Sequence, residues 1–530
     1  MDTIKEQLVQ AVTLSLNQAH FKFSEPVVIN YPKVSSHGDY TTNVAMIVAK
    51  KTGQTPMAVA DRLTLQLKKT DFVKSGKATV EAVAPGFINF KLSPEFISEL
   101  ALAILAQTRP YGQNQTGQGK KIQIEFISAN PTGPLTIGNA RGGFFGDVLG
   151  NAYKACGYKV VKEYYVNDAG KQIESLGHSV LKDELAVYKG DYIDDLHNKL
   201  KGAGDEANYV GRLAAQEILN DLLKKTIEEK MKIKFDVWFS EYDELRQTNK
   251  AAMMIDYLKN KKLIYQKDGA WWFKSSDHGD VRDRVLVKTN GETTYLAQDF
   301  AYLQNKFTER KFDKVIYVWG ADHHGDVAGL LNAAKVLGHE GKAEVILLQF
   351  VRLLKDGKEV RMSKRKGNYI KMSDLIDVVG HDVARFMFLM YAPSSHIDFD
   401  LNVAQEKSEK NPVYYLQYAF ARISSLLSQP EVGKVKSIKQ IKLDHRSALS
   451  LAAALFKWPE ILEEAAANNR VQLLPTYALD LANKFHHFYD QCRVINNGEA
   501  NPGWVALIRL THKVLLEVIN VIGVEAPAKM

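Results

Sequence analysis

The stretch Glu125–Arg141, EFISANPTGPLTIGNAR, limits what this chain can become more than any other. Ile122, Ile124 and Phe126 lead in as apolar, extended residues, the pattern of a buried strand in a parallel sheet. Asn130-Pro131-Thr132-Gly133-Pro134 then forces a turn. After Gly138 the residues Ala140, Phe144, Phe145, Val148 and Leu149 suit a helix, expected over 142–156. Strand, Gly/Pro turn, helix is the layout that aims backbone N–H groups and a helix N-terminus at a phosphate. An ordinary strand-to-helix connection accounts for the turn alone equally well.

A length of 530 residues implies two to four domains rather than one. No run of about 18 apolar residues occurs, so no membrane span is expected. The N-terminus, MDTIKEQLVQAVTLSLNQ, mixes acidic and basic residues as an amphipathic helix does, and reads as neither signal nor transit peptide. Cys156 and Cys492 are the only cysteines and lack CxxC spacing, which favours a reducing compartment and argues against structural zinc. The net charge of +8 is compatible with a polyanionic partner. Two motifs are set aside. Gly112–Gly117 has P-loop glycine spacing, but Gln118 stands where lysine is required, so the segment reads as a linker. His323-His324 lacks a third metal ligand at suitable spacing.

Residues 1 to about 110 read as a small α+β unit, with strand-like segments at ATVEAVA and Gly86–Lys91. A sheet begins near Lys121, and the strand Tyr158–Val166 ends in Asn167-Asp168-Ala169-Gly170, polar residues that either face a ligand or cap the next helix. The helical, charged run from about 172 gives way to FDVWFSE, ending in Glu241, then to a helical piece Glu244–Asn260 and a strand at Trp271-Trp272-Phe273. This block is expected to interrupt the sheet, which resumes at Glu292–Asp299. Tyr295 and Asp299 lie four apart, either facing one cleft or serving the core. Lys314–Trp319 reads as a buried strand ending in Gly320-Ala-Asp322-His323-His324-Gly325. A hairpin is expected at Asp356-Gly357. Five of the nine residues 358–366 are basic, either a solvated loop or one whose Lys364 neutralises phosphate charge. Ser373 is expected to cap the next helix, and from about 401 the pattern is entirely helical.

Asn-Pro-Thr-Gly-Pro-Leu-x-x-Gly-x-x-Arg-Gly resembles the first signature of class I aminoacyl-tRNA synthetases in its arginyl form. GDYTTNVA and PGFINFKLS resemble the additional N-terminal domain of arginyl-tRNA synthetases, which there contacts the tRNA elbow. YLAQDFAY is similar to the family's arginine-binding segment, and Gly320–Gly325 to its GxDxxH-like block. Arg361-Met362-Ser363-Lys364-Arg365-Lys366-Gly367 resembles the KMSKS signature, departing from it at Arg361 and Arg365. NPVYYLQYAFARI, FHHFYDQCRV and EAPAKM resemble the helical anticodon-binding domain. The matches run collinearly along the chain, which is identified as a member of that family.

The resemblance implies a multidomain α/β protein. Its parts are a small α+β N-terminal domain (1–112), a Rossmann-like parallel-sheet catalytic domain (113–400, with a connective insertion at about 172–290) and an all-α anticodon-binding domain (401–530). It implies ATP-dependent activation of L-arginine and transfer to tRNA(Arg), with tRNA bound before activation, Mg2+ accompanying ATP, and no zinc. It also implies a cytoplasmic monomer without membrane contact. Arginine candidates are Glu125, Asn130, Glu241, Tyr295, Asp299 and Asp322, because a planar cation with five donors needs carboxylates. ATP candidates are Pro131, Thr132, Gly133, Gly138, His324, Met362, Ser363 and Lys364; catalytic candidates are Thr136, Gly138, Asn139, Lys364 and Lys366. The family's first signature usually has His-x-Gly-His, and here Thr136-Ile137-Gly138-Asn139 offers neutral donors instead. Two other readings compete: a nucleotidylyl-transferring or tRNA-independent amino-acid ligase on the same sheet, and a catalytically silent RNA-binding paralogue.

Overall fold

The computed structural model describes residues 2–360, 371–436, 438, 441 and 443–530. Its centre is a five-stranded parallel sheet: β1 (Lys121–Phe126), β2 (Lys159–Val166), β3 (Val237–Ser240), β4 (Lys314–Gly320) and β5 (Ala343–Leu348), in the order β5-β4-β1-β2-β3. The chain steps outward from β1 to β3, then returns to lay β4 on the other side of β1. That reversal opens a crevice above the C-terminal ends of β1 and β4, where doubly wound sheets bind ligands. β1 is buried over Ile122–Phe126 without alternation, as a central parallel strand must be.

Helix α1 (Ile137–Ala155) returns from the crevice across the sheet. It starts five residues before the expected position, because close packing overrides the poor helix propensity of its glycines. A Cβ on Gly146 would lie 2.3 Å from the Phe126 ring, and one on Gly143 would lie 2.6 Å from the end of Met231. Arg141 is buried on α1 and donates to the carbonyls of Gln349 (2.5 Å), Ala392 (2.8 Å) and Pro393 (3.4 Å); burial pushes its guanidinium down to about 10.

The inserted block does not stand wholly apart from the sheet, since β3 is the sheet's edge strand. The rest of the block includes an antiparallel sheet of Ile264–Lys267, Ala270–Phe273 and Arg284–Val287. Thr293 pairs with Val287 of that small sheet, so Glu292–Thr294 is no strand of the parallel one; α2 (Tyr295–Gln304) begins directly after it. The helix expected from Glu244 breaks at Asn249, which takes a left-handed conformation (φ 52°), and resumes as Lys250–Asn260. The hairpin at Asp356-Gly357 forms with both residues at positive φ, 52° and 70°. Ser373 bonds the Asp374 carboxylate instead of capping, since its helix already starts at Met372.

In the N-terminal unit, Phe87–Leu92 is the middle strand between Tyr40–Thr42 and Ala78–Val83. The linker packs against rings: a Cβ on Gly112 would lie 2.5 Å from Trp458, and one on Gly117 would lie 2.4 Å from Tyr158. Those glycines therefore serve close approach. The N-terminal unit docks on the C-terminal helices through Glu460, which accepts from Lys5 N (2.9 Å), the Tyr31 hydroxyl (2.5 Å) and the Tyr40 hydroxyl (3.3 Å). The C-terminal part is helical except for a hairpin of Ile495–Asn496 and Glu499–Ala500 turning at Asn497-Gly498, a turn pair that favours positive φ at both positions.

A buried ionic triad joins the catalytic sheet to this helical part. Arg385, on α3 (His381–Leu389), pairs with Asp147 of α1 and donates from Nε to the Ile522 carbonyl at 2.5 Å, the end of α4 (Pro502–Ile522). Lys162 of β2 binds the other Asp147 oxygen at 2.6 Å. Burial pushes the Asp147 carboxyl up, but Arg385 and Lys162 overcome this and hold it below the usual range. Its stabilisation is thus present above the unfolded carboxyl value and is lost as pH falls through the lower folded one. Asp147→Ala leaves buried Arg385 and half-buried Lys162 without their counter-ion and should cost about 3–5 kcal/mol. Thermal unfolding near neutral pH checks this, the expected result being a clearly lowered Tm relative to the parent.

Candidate active site

The floor of the crevice is a turn with a strained start. Ile127 (φ 66°) and Ser128 (φ 41°) leave β1 in left-handed conformations that cost a β-branched residue about 1–3 kcal/mol. Neighbours from β2 hold them: Ser128 Oγ accepts from Tyr165 N at 3.1 Å, and the Tyr164 hydroxyl donates to the Ala129 carbonyl at 2.7 Å. Asn130 then donates to Gln172 Oε1 (2.6 Å), and the Tyr192 hydroxyl donates to the Thr132 carbonyl (3.0 Å) beside Gly133. Pro131 is buried, while Thr132 and Gly133 are half-buried.

At the N-terminus of α1 the two residues that stand for the usual histidines bind one another. Asn139 Oδ1 accepts from Thr136 N (3.2 Å) and Thr136 Oγ1 (2.8 Å), which leaves the Asn139 amide N–H groups as donors. Gly138 is exposed, and a Cβ there would meet nothing closer than Thr136 Oγ1 at 3.8 Å. Among the described residues the Asn139 amide N–H groups have no acceptor, so this helix N-terminus presents donors of the kind that suit an anion. Lys371 pairs with Thr136, and Met372 N donates to the Leu135 carbonyl at 2.9 Å, so the chain arriving from residues 361–370 reaches this point. Met362, Ser363, Lys364 and Lys366 lie outside the described residues. On the β4 side, Asp322 and His324 are exposed on the turn Ala321–Asp326, with His323 between Asp322 (3.8 Å) and Asp326 (3.6 Å).

Deeper in the crevice lies a group of carboxylates. Glu125 of β1 bonds the Lys306 ammonium at 2.6 Å, and that ammonium sits between the rings of Tyr302 (3.8 Å) and Tyr317 (4.0 Å). Glu163 of β2 takes Arg310 and the Tyr302 hydroxyl. Glu241, just past β3, takes Arg246 at 2.7 Å and the Tyr165 hydroxyl at 2.9 Å. All three carboxylates are buried, and each has its own cation.

Asp299 on α2 is different. It is half-buried and has no hydrogen bond or ion pair among the described residues. Burial first, then the charges of Glu125, Glu241 and Asp326, push its carboxyl up to about 7, against the opposing pull of Lys306. Asp168 also lacks a cation but is held by the Ser240 hydroxyl at 2.6 Å and Tyr242 N at 2.8 Å, so among the described residues Asp299 is the carboxylate of this group with neither ion pair nor hydrogen bond; Tyr295, 59% exposed, stands one turn earlier on α2. A single organic cation fits this vacancy.

Of the candidates read from sequence, Asp299 lies within electrostatic reach of Glu125 and Glu241, with Tyr295 one turn before it on α2; Asn130, Thr132 and Gly133 lie in the turn after β1, and Thr136, Gly138 and Asn139 at the start of α1. Asp322 and His324 stand on the exposed rim. Lys306, Glu163, Arg310, Arg246 and Tyr165 were missed. A glutamate inside KVVKEYYV and a lysine seven residues after Asp299 on one helical face were the available signals.

Comparison with known proteins places each part of the chain in one family. Residues 2–92 match the arginyl tRNA synthetase N terminal domain, 101–387 the catalytic domain of tRNA synthetases class I (R), and 416–530 the DALR anticodon binding domain. The arginine--tRNA ligase of Moorella thermoacetica is 39% identical over 95% of this chain and 94% of its own. That of Caldanaerobacter subterraneus subsp. tengcongensis is 40% identical over 99% of both. The fold matches Thermus thermophilus arginyl-tRNA synthetase with a TM-score of 0.78 at 20% identity, covering 99% of this chain and 100% of that one. The strand order, the open helix N-terminus and the carboxylate pocket thus sit in a chain that is related to these enzymes along its whole length, and it belongs to the arginyl-tRNA synthetase family.

Proposed function

We propose that the chain is an arginine–tRNA ligase. It activates L-arginine with ATP and transfers the arginyl group to the 3′ end of tRNA(Arg). The observation that carries the arginine assignment is Asp299, the one carboxylate of this group with neither cation nor hydrogen bond among the described residues. A guanidinium supplies that charge and five donors, and an uncharged analogue would leave the carboxylate unpaired, which is the basis of selectivity. Tyr295 closes the rim of the pocket, and Asn130 is suited to the α-amino or carboxylate end of the substrate.

The arginine carboxylate oxygen attacks the α-phosphorus of ATP, forming the O–P bond as the bond to pyrophosphate breaks. A ribose hydroxyl of the terminal adenosine then attacks the arginyl carbonyl, and AMP leaves with the bonding pair. The protein's part is to position reactants and stabilise charge. The amides around Gly133 and Gly138, the N-terminal dipole of α1 and the Asn139 side chain face the phosphates, with Pro131, Thr132 and His324 beside them. Met362, Ser363, Lys364 and Lys366 act from the basic segment that leads to Lys371. Mg2+ enters with ATP as the counter-ion of its phosphates. The protein works as a cytoplasmic monomer, with residues 1–112 and 401–530 holding the tRNA beside 113–400.

ATP–pyrophosphate exchange with arginine should require unacylated tRNA. Exchange without tRNA would favour a tRNA-independent ligase, and no exchange with any amino acid would favour a silent RNA-binding protein. Asp299→Asn should weaken arginine binding by about 2–5 kcal/mol, read as a rise in KM for arginine. Because Asp299 must be ionised to hold the guanidinium and titrates at about 7 in the empty pocket, kcat/KM for arginine should fall as pH drops below that value. The same limb should disappear in Asp299→Asn. Asn139→Ala should slow single-turnover adenylate formation; an unchanged rate removes Asn139 from the mechanism.

A further inference from the structure

We propose that Glu125 acts as a restraint in the pocket rather than as an arginine ligand: it holds the Lys306 ammonium away from Asp299 and so keeps vacant the carboxylate that receives the substrate. This rests on the reading of Asp299 as the guanidinium partner.

Lys306 is fully buried, 0% exposed, and Glu125 is its sole hydrogen-bond acceptor among the described residues. Its other neighbours are the faces of Tyr302 and Tyr317, which attract a cation without fixing its direction. If Glu125 stopped accepting, the ammonium would need another anion. Glu163 is occupied by Arg310 and Tyr302, and Glu241 by Arg246 and Tyr165. Asp299 is the one uncommitted carboxylate.

Lys306 stands on the same helix face as Asp299. The helix of Asp299 continues from Tyr295–Gln304 into Asn305–Glu309, so the two residues lie seven apart on one face, a rise of about 10 Å. Helical side chains lean toward the N-terminus, and Lys306 already does so, with its ammonium over the ring of Tyr302 one turn back. Its charge already acts on Asp299. A lysine tethered this close competes at an effective concentration in about the millimolar range or above, without diffusing in. Freed from Glu125, it is an internal competitor of the substrate guanidinium. The buried pair therefore decides whether the pocket presents a vacancy or fills itself.

The test is arginine-dependent ATP–pyrophosphate exchange in the presence of tRNA for the parent, Glu125→Gln, Glu125→Gln/Lys306→Met and Asp299→Asn. Glu125→Gln should raise KM for arginine roughly tenfold or more, as expected when the binding-competent state falls to about a tenth of the population. Its kcat at saturating arginine should change far less than KM. Removing the competitor in Glu125→Gln/Lys306→Met should return KM to within a few-fold of the parent. An unaltered KM in Glu125→Gln overturns the proposal. So does a double variant as impaired as Glu125→Gln, which would make Glu125 itself an arginine ligand. If thermal unfolding shows that Glu125→Gln does not fold, the double variant decides alone: a KM near the parent's supports the restraint, and a raised one overturns it. An Asp299→Asn variant with the parent's KM would sink the arginine-pocket reading itself, whatever the Glu125 variants do.

Discussion

Carboxylates at the ends of parallel strands are expensive to enclose, and the centre of this molecule is arranged around meeting that cost. An ionised group removed from water is tolerated when an opposite charge and hydrogen bonds replace the solvent. Glu125, Glu163 and Glu241 come from three adjacent strands or their ends, and each meets a lysine or arginine from a helix or turn packed nearby. The hydroxyls of Tyr302 and Tyr165 complete the shells of Glu163 and Glu241. Among the described residues Asp299 alone of this group remains without a partner. The pocket thus has a defined charge vacancy because the surrounding ions leave nothing else uncommitted.

The carboxylate group includes Glu125 near the C-terminal end of β1, and the N-terminus of α1 follows the turn that leaves the same strand. Laying β4 against β1 after the chain has gone out to β3 makes helices diverge at that point. The turn after β1 then has room to run through the gap, at the expense of two left-handed non-glycine residues.

The outer parts are bound to this centre by buried polar contacts. Asp147 on α1 holds Arg385 and Lys162, and Arg385 reaches the last turn of α4. Glu460 gathers Lys5, Tyr31 and Tyr40 from the N-terminal unit. α1 therefore carries the Thr136–Asn139 pair at its start and, along its length, the ionic seam to the C-terminal helices.

By itself the sequence determined the strand–turn–helix at Glu125–Arg141, the apolar parallel strand Lys314–Trp319, the Tyr295/Asp299 spacing and the hairpin at Asp356-Gly357. Such features depend on residues a few positions apart, whose periodicity and turn chemistry act locally. It expected the helix only from 142, and the structure alone puts Thr136 and Asn139 at its start and shows that they bind one another. Tertiary structure decided the rest: β3 inside the expected insertion, Glu292–Thr294 outside the parallel sheet, and above all which charges pair. Glu125 meets Lys306 across 181 positions, Glu163 meets Arg310 across 147, and Asp147 meets Arg385 across 238. No local pattern encodes those partners, because an ion's worth depends on what surrounds it after burial. Asp299 owes its vacancy to the same fact, since only the folded chain shows that every other carboxylate of the pocket has already been matched.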